Sequence, residues 1–539
     1  MAFALEILEG PTPRARTYGA ASRTVFQLEG DLAELRKSGA LDRVRGLGPS
    51  TLAVIDDVIA GRDPEELIEL ESKIPEGLFA IRKIKGLGPA KIRALYEGLG
   101  ISSLGELEHA CKENRLVTLP GFGEKTQANV LEGVQAERRH EGTHLRDAAL
   151  EMARELIGKA ANGARYAIVG DLATGAELVS SIGLLVEGAG GRDEVTLSGG
   201  VNGVVMHASK ERFGVVHVRE TSDDAHWAAL QARGSELGLS LGDELKRGAD
   251  VVAVETDLAL YEALELYLVP PEARHAASVF ARRGPAPKEL VTRGDLRGAL
   301  HNHTLASDGV ATLAEMRAAA IASGLSYLGI SEHSQSADYA RGLTRERIAA
   351  QIAEIAAMNA QGSSCTILNG VESDILADGS LDYPDDVLAP LEVVIASSHR
   401  RFALDRERST ARMVRAASSP RTDILGHPTG RLLLGRAPLD LDLDALLEAC
   451  AKNGCAVELN GSAHRLDFGA RELRMAKERG ILVSIAADAH ATGEIEEHLE
   501  HGIAVARRAG LTPEDVLNTR PLDRLRSWLT ARRSRALAV

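Results

Sequence analysis

Cysteine is scarce in this chain: four residues among 539, Cys111, Cys365, Cys450 and Cys455, with no Cys-x-x-Cys pair. That spacing gives no disulfide framework. No unbroken apolar run reaches bilayer-spanning length, and Met1 to Gly10 carries Glu6 and Glu9 without a basic leader start. Neither a transmembrane helix nor a signal peptide is expected, which predicts a cytoplasmic protein without a membrane partner. An excess of positive charge is also missing, since 63 Lys and Arg face 77 Asp and Glu for a net charge of -14. Nucleic acid wrapped over the whole surface is therefore disfavoured, while a local basic patch stays open. The length predicts several domains, and 44% hydrophobic residues suffice for packed cores.

What is present is a long series of metal-type side chains. It opens at His301-Asn302-His303-Thr304 and Asp308, then continues through Glu332-His333, Glu372, His399, His427 and Asp488-Ala489-His490. Alternate residues of a strand share a face, so His301 with His303, and Asp488 with His490, can each aim two ligands at one point. Short apolar runs precede Glu332, His399, His427 and Asp488 and read as buried strands. Helical stretches over 313–323, 344–358 and 441–453 alternate with them, predicting parallel βα units with functional residues at the strand ends. One histidine beside an apolar segment is usually structural. Six histidines, two aspartates and a glutamate in one repeated context predict a polynuclear metal centre of His301, His303, Asp308, His333, Glu372, His399, His427, Asp488 and His490. Asn460 reads equally as a supporting polar residue or a strand-end cap, and His464, His498 and His501 read as surface or structural.

The N-terminal quarter repeats a different pattern. Val44-Arg-Gly46-Leu-Gly48-Pro49, Ile84-Lys85-Gly86-Leu-Gly88-Pro89 and Leu119-Pro-Gly121-Phe-Gly123 each lead into an amphipathic helix. These are helix-hairpin-helix patterns, in which the glycines let backbone N–H groups face phosphate oxygens at a helix N-terminus. Candidate DNA contacts are Gly46, Gly48, Lys85, Gly86, Gly88, Lys91, Gly121, Gly123 and Lys125. Arg82, Lys83 and Arg93 add charge to the second copy, so binding should be salt-sensitive and independent of base sequence.

Helix-hairpin-helix repeats, a strand-rich middle beginning at Ala167-Ile-Val-Gly170, then Leu268-Val-Pro-Pro-Glu-Ala-Arg274 and the metal series, together resemble bacterial family X DNA polymerases. The most specific stretches are Ile330-Ser-Glu-His-Ser334, Gly370-Val-Glu-Ser-Asp-Ile-Leu376, Gly426-His-Pro-Thr-Gly-Arg431 and Asp488-Ala-His490. The resemblance implies a multidomain chain: an α-helical helix-hairpin-helix region, an α+β polymerase beta-like nucleotidyltransferase core, and a C-terminal PHP (polymerase and histidinol phosphatase) domain built as a distorted (β/α) barrel. The implied division is 1–60 and 61–140 for the helical DNA-binding parts, 141–235 for the palm, 236–281 for a thumb-like part, 282–294 for a linker and 295–539 for the PHP domain. It also implies three divalent metals. His301, His303, Glu372 and Asp488 would hold one, the bridging Glu372 with His399 and His427 a second, and Asp308, His333 and His490 a third. Mn, Zn or Fe fit such mixed ligands. Arg431 or Arg400 would neutralise phosphate oxygens during attack on phosphorus. Glu332, where the family usually has Asp, belongs behind the ligands.

The palm departs from the family where its chemistry happens. Family palms carry Gly-Ser, Arg-Arg-Gly, an Asp-x-Asp and a third Asp on a later strand. Here the aligned positions are Gly170-Asp171, Ala173-Thr174-Gly175, Ser181 and Gly183, and His217 in Gly214-Val-Val-His-Val-Arg219 read as the later strand. Two-metal nucleotidyl transfer needs those carboxylates. The expected activity is a 3'-5' exonuclease or 3'-end-processing enzyme acting in repair on gapped, primed or damaged DNA, nucleoid-associated, with an inactive polymerase core. Competing readings are an active polymerase/exonuclease, a histidinol-phosphatase-like phosphomonoesterase, and a non-catalytic DNA-binding scaffold.

Overall fold

A computed structural model describes residues 1–28, 30–138, 142–275, 286–400, 402 and 404–537. The chain divides into two compact units, Met1–Glu137 and Arg138–Val539. The first is helical throughout its described length. Pro49–Ile59 (α1), Pro89–Leu99 (α2) and Glu124–Arg138 (α3) each follow one of the Gly-x-Gly turns. The first glycine of each turn takes a left-handed φ, 100° at Gly46, 90° at Gly86 and 83° at Gly121, which few side chains tolerate. Gly48 and Gly88 are N-caps followed by proline, whose missing N–H has no helical partner to lose. Beneath the turns Leu78, Ile81, Ile92, Leu95, Leu107 and Val134 are fully buried in one core. Leu32–Lys37 is a helix capped by Asp31, whose side chain accepts from Glu34 N.

In the second unit Tyr166–Val169 (β1), Ile182–Glu187 (β2), Arg192–Thr196 (β3) and Asn202–Ala208 (β4) form a sheet in the order β1-β2-β4-β3. β1 and β2 are antiparallel, β2 and β4 parallel. The helix Arg146–Ala160 packs on the sheet through Ala149, Met152, Ala153 and Leu156. The strand expected over 214–219 does not form: Phe213–Glu220 is a helix. Its buried Val215 and Val218, three apart on one helical face, join Leu230, Leu245, Leu260 and Tyr261 in a separate core. Packing there overrides the β-propensity of the valines. Of the proline- and glycine-containing stretch 282–288, residues 282–285 lie outside the described residues.

The C-terminal part is a seven-stranded parallel sheet. Gly298–Ala299 (β5), Tyr327–His333 (β6), Thr366–Asp374 (β7), Val393–Ser397 (β8), Ile424–Leu425 (β9), Ala456–Asn460 (β10) and Val483–Ala486 (β11) pair in sequence order. Beyond the edge strands, Asn302 bridges Ala489, and His303 N donates to Ala489 O while Asp488 N donates to His301 O, both at 2.9 Å. Those bonds nearly close the sheet into a barrel. Helices Leu313–Ala322, Arg345–Ala360, Leu443–Asn453, Ala470–Glu478 and Glu494–Arg508 alternate with the strands and cover them, so strands such as β6, β8 and β11 are buried along their whole length. Among the described residues no helix is long and apolar enough to cross a membrane.

Candidate metal centre

The predicted ligands gather where the barrel strands end. His333 stands opposite Glu372 in the register of β6 and β7. His427 and Asp488 lie just beyond β9 and β11 with φ of 22° and 48°, left-handed values that cost a non-glycine residue about 1–3 kcal/mol and persist only where the surroundings enforce them. Ligand atoms of His303, Asp308, His333 and His490 all lie within 4.8 Å of one another. The same holds for His301, His303 and Asp488, and for His333, Glu372 and His399. Glu372 sits between the groups. Its Oε1 is 3.4 Å from His301 Nε2, 3.1 Å from His399 Nε2 and 2.9 Å from His427 Nε2, and its Oε2 is 2.8 Å from His333 Nδ1. His303 takes part in two groups and so blurs the division into three ligand sets implied by the resemblance.

The chemistry of this donor set fits cations. His301 Nε2, His303 Nδ1, Asp308 Oδ2, His333 Nδ1 and Glu372 Oε2 are buried without a hydrogen bond of acceptable geometry, an expensive arrangement unless another group satisfies them. Charge pairing tells the same story. Burial opposes ionisation of Glu372, yet the imidazoles of His399, His301 and His333 outweigh it and hold the carboxyl well below its ordinary range. Burial likewise opposes a charged His399, but Glu372 and Asp374 raise it to about 9. His303 goes the other way, to about 4, because burial and the imidazoles of His333 and His490 both disfavour its charge. Bound divalent cations would take the place of those protons, so their binding releases protons and weakens as pH falls.

Two carboxylates that sequence reasoning passed over orient the ligands. Glu458 Oε2 is 2.8 Å from His301 Nδ1, and Asp374 accepts from His399 Nδ1. Each carboxylate holds its histidine through Nδ1, so that a cation in the cluster would take the lone pair of Nε2. The available signals were a glutamate inside the apolar run Ala456–Asn460 and an aspartate two residues beyond Glu372 on the same strand face. Asn460 Nδ2 donates to Asp488 Oδ2 at 2.8 Å and to Glu458 Oε1 at 3.0 Å, so it supports the cluster. Glu332 stands behind it, accepting from Thr304 N, Thr304 Oγ1 and Ser307 Oγ and so fixing the loop that presents Asp308. Glu458→Gln is expected to weaken Mn2+ binding about 10–100-fold, read by calorimetric titration.

Comparison with known proteins bears on the whole chain. A protein from Bacillus subtilis (strain 168) named DNA polymerase/3'-5' exonuclease PolX is 30% identical over 545 residues, covering 95% of this chain and 94% of that one. The chain belongs to the PolX family. Residues 80–136 match the family model described as a SAM-like helix-hairpin-helix tandem. A probable phosphatase of Thermoanaerobacter sp. (strain X514) is 28% identical over 41% of this chain and 89% of its own length. One from Acetivibrio thermocellus is 28% identical over 36% of this chain and 80% of its own.

Within this PolX architecture the two expected phosphate-neutralising arginines are already engaged. Arg431 Nε donates to Arg465 O at 3.0 Å, and its Nη2 bonds Leu466 O and, at 2.6 Å, Glu177 Oε2. Arg400 is half exposed and donates to Ser336 O at 2.6 Å. Among the described residues, Arg465 brings a buried guanidinium to the ligands, its Nε 3.7 Å from Asp488 Oδ2.

The palm geometry corrects one alignment. Gly183 on β2 pairs with Val169 on β1 and Val204 on β4, so the neighbour on the later strand is Val204. His217 instead lies on Phe213–Glu220, its Nδ1 2.7 Å from Asp257 Oδ1. A Cβ at Gly183 would stand 2.8 Å from Val169 Cγ2, so apolar packing fills this position. Asp171 is occupied by the Ser180 backbone N and Oγ, at 2.8 and 2.5 Å.

Among the described residues, chain neighbours aside, nothing lies within 4 Å of where a Cβ would stand at Gly48, Gly86, Gly88, Gly121 or Gly123, and at Gly46 the Thr24 hydroxyl is 3.3 Å away. Lys85 and Lys125 are exposed. Lys91 Nζ lies 5.5 Å from the Phe122 ring centre, linking the second and third turns. Lys83 and Arg93 are paired with Glu137 and Glu97.

Proposed function

We propose that the chain is a metal-dependent DNA phosphodiesterase that trims or processes 3' ends in repair, and that its palm no longer polymerises. The observation that carries this reading is an asymmetry: nine metal-type ligands converge at the barrel mouth, while Ser181, Gly183 and Val204 occupy the palm positions that need carboxylates. His301, His303, Asp308, His333, Glu372, His399, His427, Asp488 and His490 would hold three divalent cations, Mn, Zn or Fe. Cations there would supply charge neutralisation at the phosphodiester oxygens and lower the pKa of a water. The chain's own contribution is orientation: Glu458 and Asp374 fix the tautomers of His301 and His399, Asn460 holds one oxygen of Asp488, and Glu332 anchors the Asp308 loop.

The helix-hairpin-helix turns would hold gapped, primed or damaged DNA by its phosphates, without reading sequence. Lys85→Glu and Lys91→Glu are each expected to weaken DNA binding and to flatten the plot of log affinity against log salt by about 0.9. Fluorescence anisotropy over a salt series checks this. A small-molecule phosphatase would leave those turns without a role. The discriminating experiment gives the protein Mn2+ with a gapped DNA and, separately, p-nitrophenyl phosphate. DNA shortening from the 3' end at far higher kcat/KM supports the proposal; turnover of the monoester alone contradicts it.

A further inference from the structure

The loop that leaves the palm sheet after β1 is joined to the barrel. Arg146 holds it from below, with Nη2 donating to Leu172 O at 3.2 Å and Nη1 to Ala176 O at 3.3 Å. Arg508 Nη1 donates to Thr174 O at 2.8 Å. A Cβ at Gly175 would come within 2.6 Å of Ala504 O, so only glycine lets the two backbones approach this closely. Ala173 and Thr174 stand where the family resemblance predicts arginines for a triphosphate. The side chain at the end of this loop, Glu177, reaches furthest. Its Oε2 accepts from Arg431 Nη2 at 2.6 Å and its Oε1 from Ala470 N at 2.9 Å.

Arg431 lies in one loop beside the metal centre, and Ala470 opens the helix Ala470–Glu478 at the end of a second. Arg431 lies four residues after His427, and Thr429 N, between them, donates to Asp467 Oδ2 at 3.1 Å. The second loop carries Arg465, close to Asp488, and supplies the carbonyls of Arg465 and Leu466 that Arg431 binds. Glu177 thus closes a ring of contacts tying the His427 loop to the loop beside Asp488. The pair is three-quarters or more buried, with 24% of the Glu177 side chain and 16% of the Arg431 side chain accessible, so water competes with it only in part.

We infer that Glu177, a palm residue, is a positioning residue for the barrel's phosphodiesterase site, acting through Arg431 on the placement of His427 and Asp488. This rests on the proposed hydrolysis at that site, and it gives the polymerase-like core a structural use that does not require nucleotide transfer. Arg431 on this view is a strut, its charge balanced by Glu177 before any substrate arrives.

The test uses the full chain carrying Glu177→Ala and, separately, Glu177→Gln, which keeps an acceptor for Ala470 N and loses the charge. Expected for Glu177→Ala are a kcat on gapped DNA lower by about tenfold, weaker Mn2+ binding, and faster amide exchange over residues 462–470. KM for DNA and the metal-free melting temperature should stay at the wild-type values, with Glu177→Gln intermediate in kcat. Wild-type kcat and wild-type exchange in Glu177→Ala would overturn the inference. So would a fall in kcat matched by a fall in melting temperature, which marks a merely structural residue. If the wild-type protein cleaves no phosphodiester, the proposed function fails, while exchange over 462–470 and Mn2+ binding still decide whether Glu177 orders the site.

Discussion

Asp488→Ala and His303→Ala should each abolish DNA shortening while leaving DNA binding intact. Asp488 is buried and held by His303 Nε2 at 3.1 Å on one oxygen and by Asn460 Nδ2 on the other. His303 belongs to two of the ligand groups, so its loss disturbs both. Outer residues around a metal typically cost about 10–100-fold when removed, and a direct ligand shared by two groups should exceed the upper end of that range. The helix-hairpin-helix turns lie in the other compact unit, so anisotropy with a gapped duplex should be unchanged. Activity within about tenfold of wild type in both variants would mean that the cluster is not the reacting centre.

Primer extension is the second large effect, expected as an absence. Transfer of a nucleotide needs carboxylates on neighbouring strands to clamp cations on both the attacking and the leaving oxygen. Across β1, β2 and β4 the facing residues are Val169, Gly183 and Val204, none of which can bind a cation. With Mn2+, dNTPs and a recessed primer, no product longer than the primer should accumulate, even in Asp488→Ala, where degradation cannot mask synthesis. Restoring Gly183→Asp alone should not rescue extension, because its Cβ would press on Val169 Cγ2.

The barrel was legible because four of its seven strands announce themselves twice, as a short apolar run and as a polar residue at the end. Alternation brings His301 and His303 into one ligand group, whereas Asp488, at a left-handed φ of 48°, and His490 fall in separate ones. Glu458 and Asp374 were harder to find, since a buried carboxylate acquires meaning only from the imidazole opposite it, and that partner is 157 residues away for Glu458. The misplacement of His217 has a local cause. Gly-Val-Val-His-Val reads as strand by propensity, and only the core formed with Leu230 and Leu260 turns Val215 and Val218 into one face of a helix. The resemblance implies a phosphate role for Arg431 or Arg400; no local pattern signals Glu177, 254 residues before Arg431 in the chain.

The most direct measurement places a 5'-labelled primer on a gapped template with Mn2+ and all four dNTPs, comparing wild type with Asp488→Ala on one gel. Expected are primer shortening by wild type, an unchanged primer with Asp488→Ala, and extension by neither. Extension that persists in Asp488→Ala would contradict it, because the palm would then be a working polymerase despite Ser181, Gly183 and Val204.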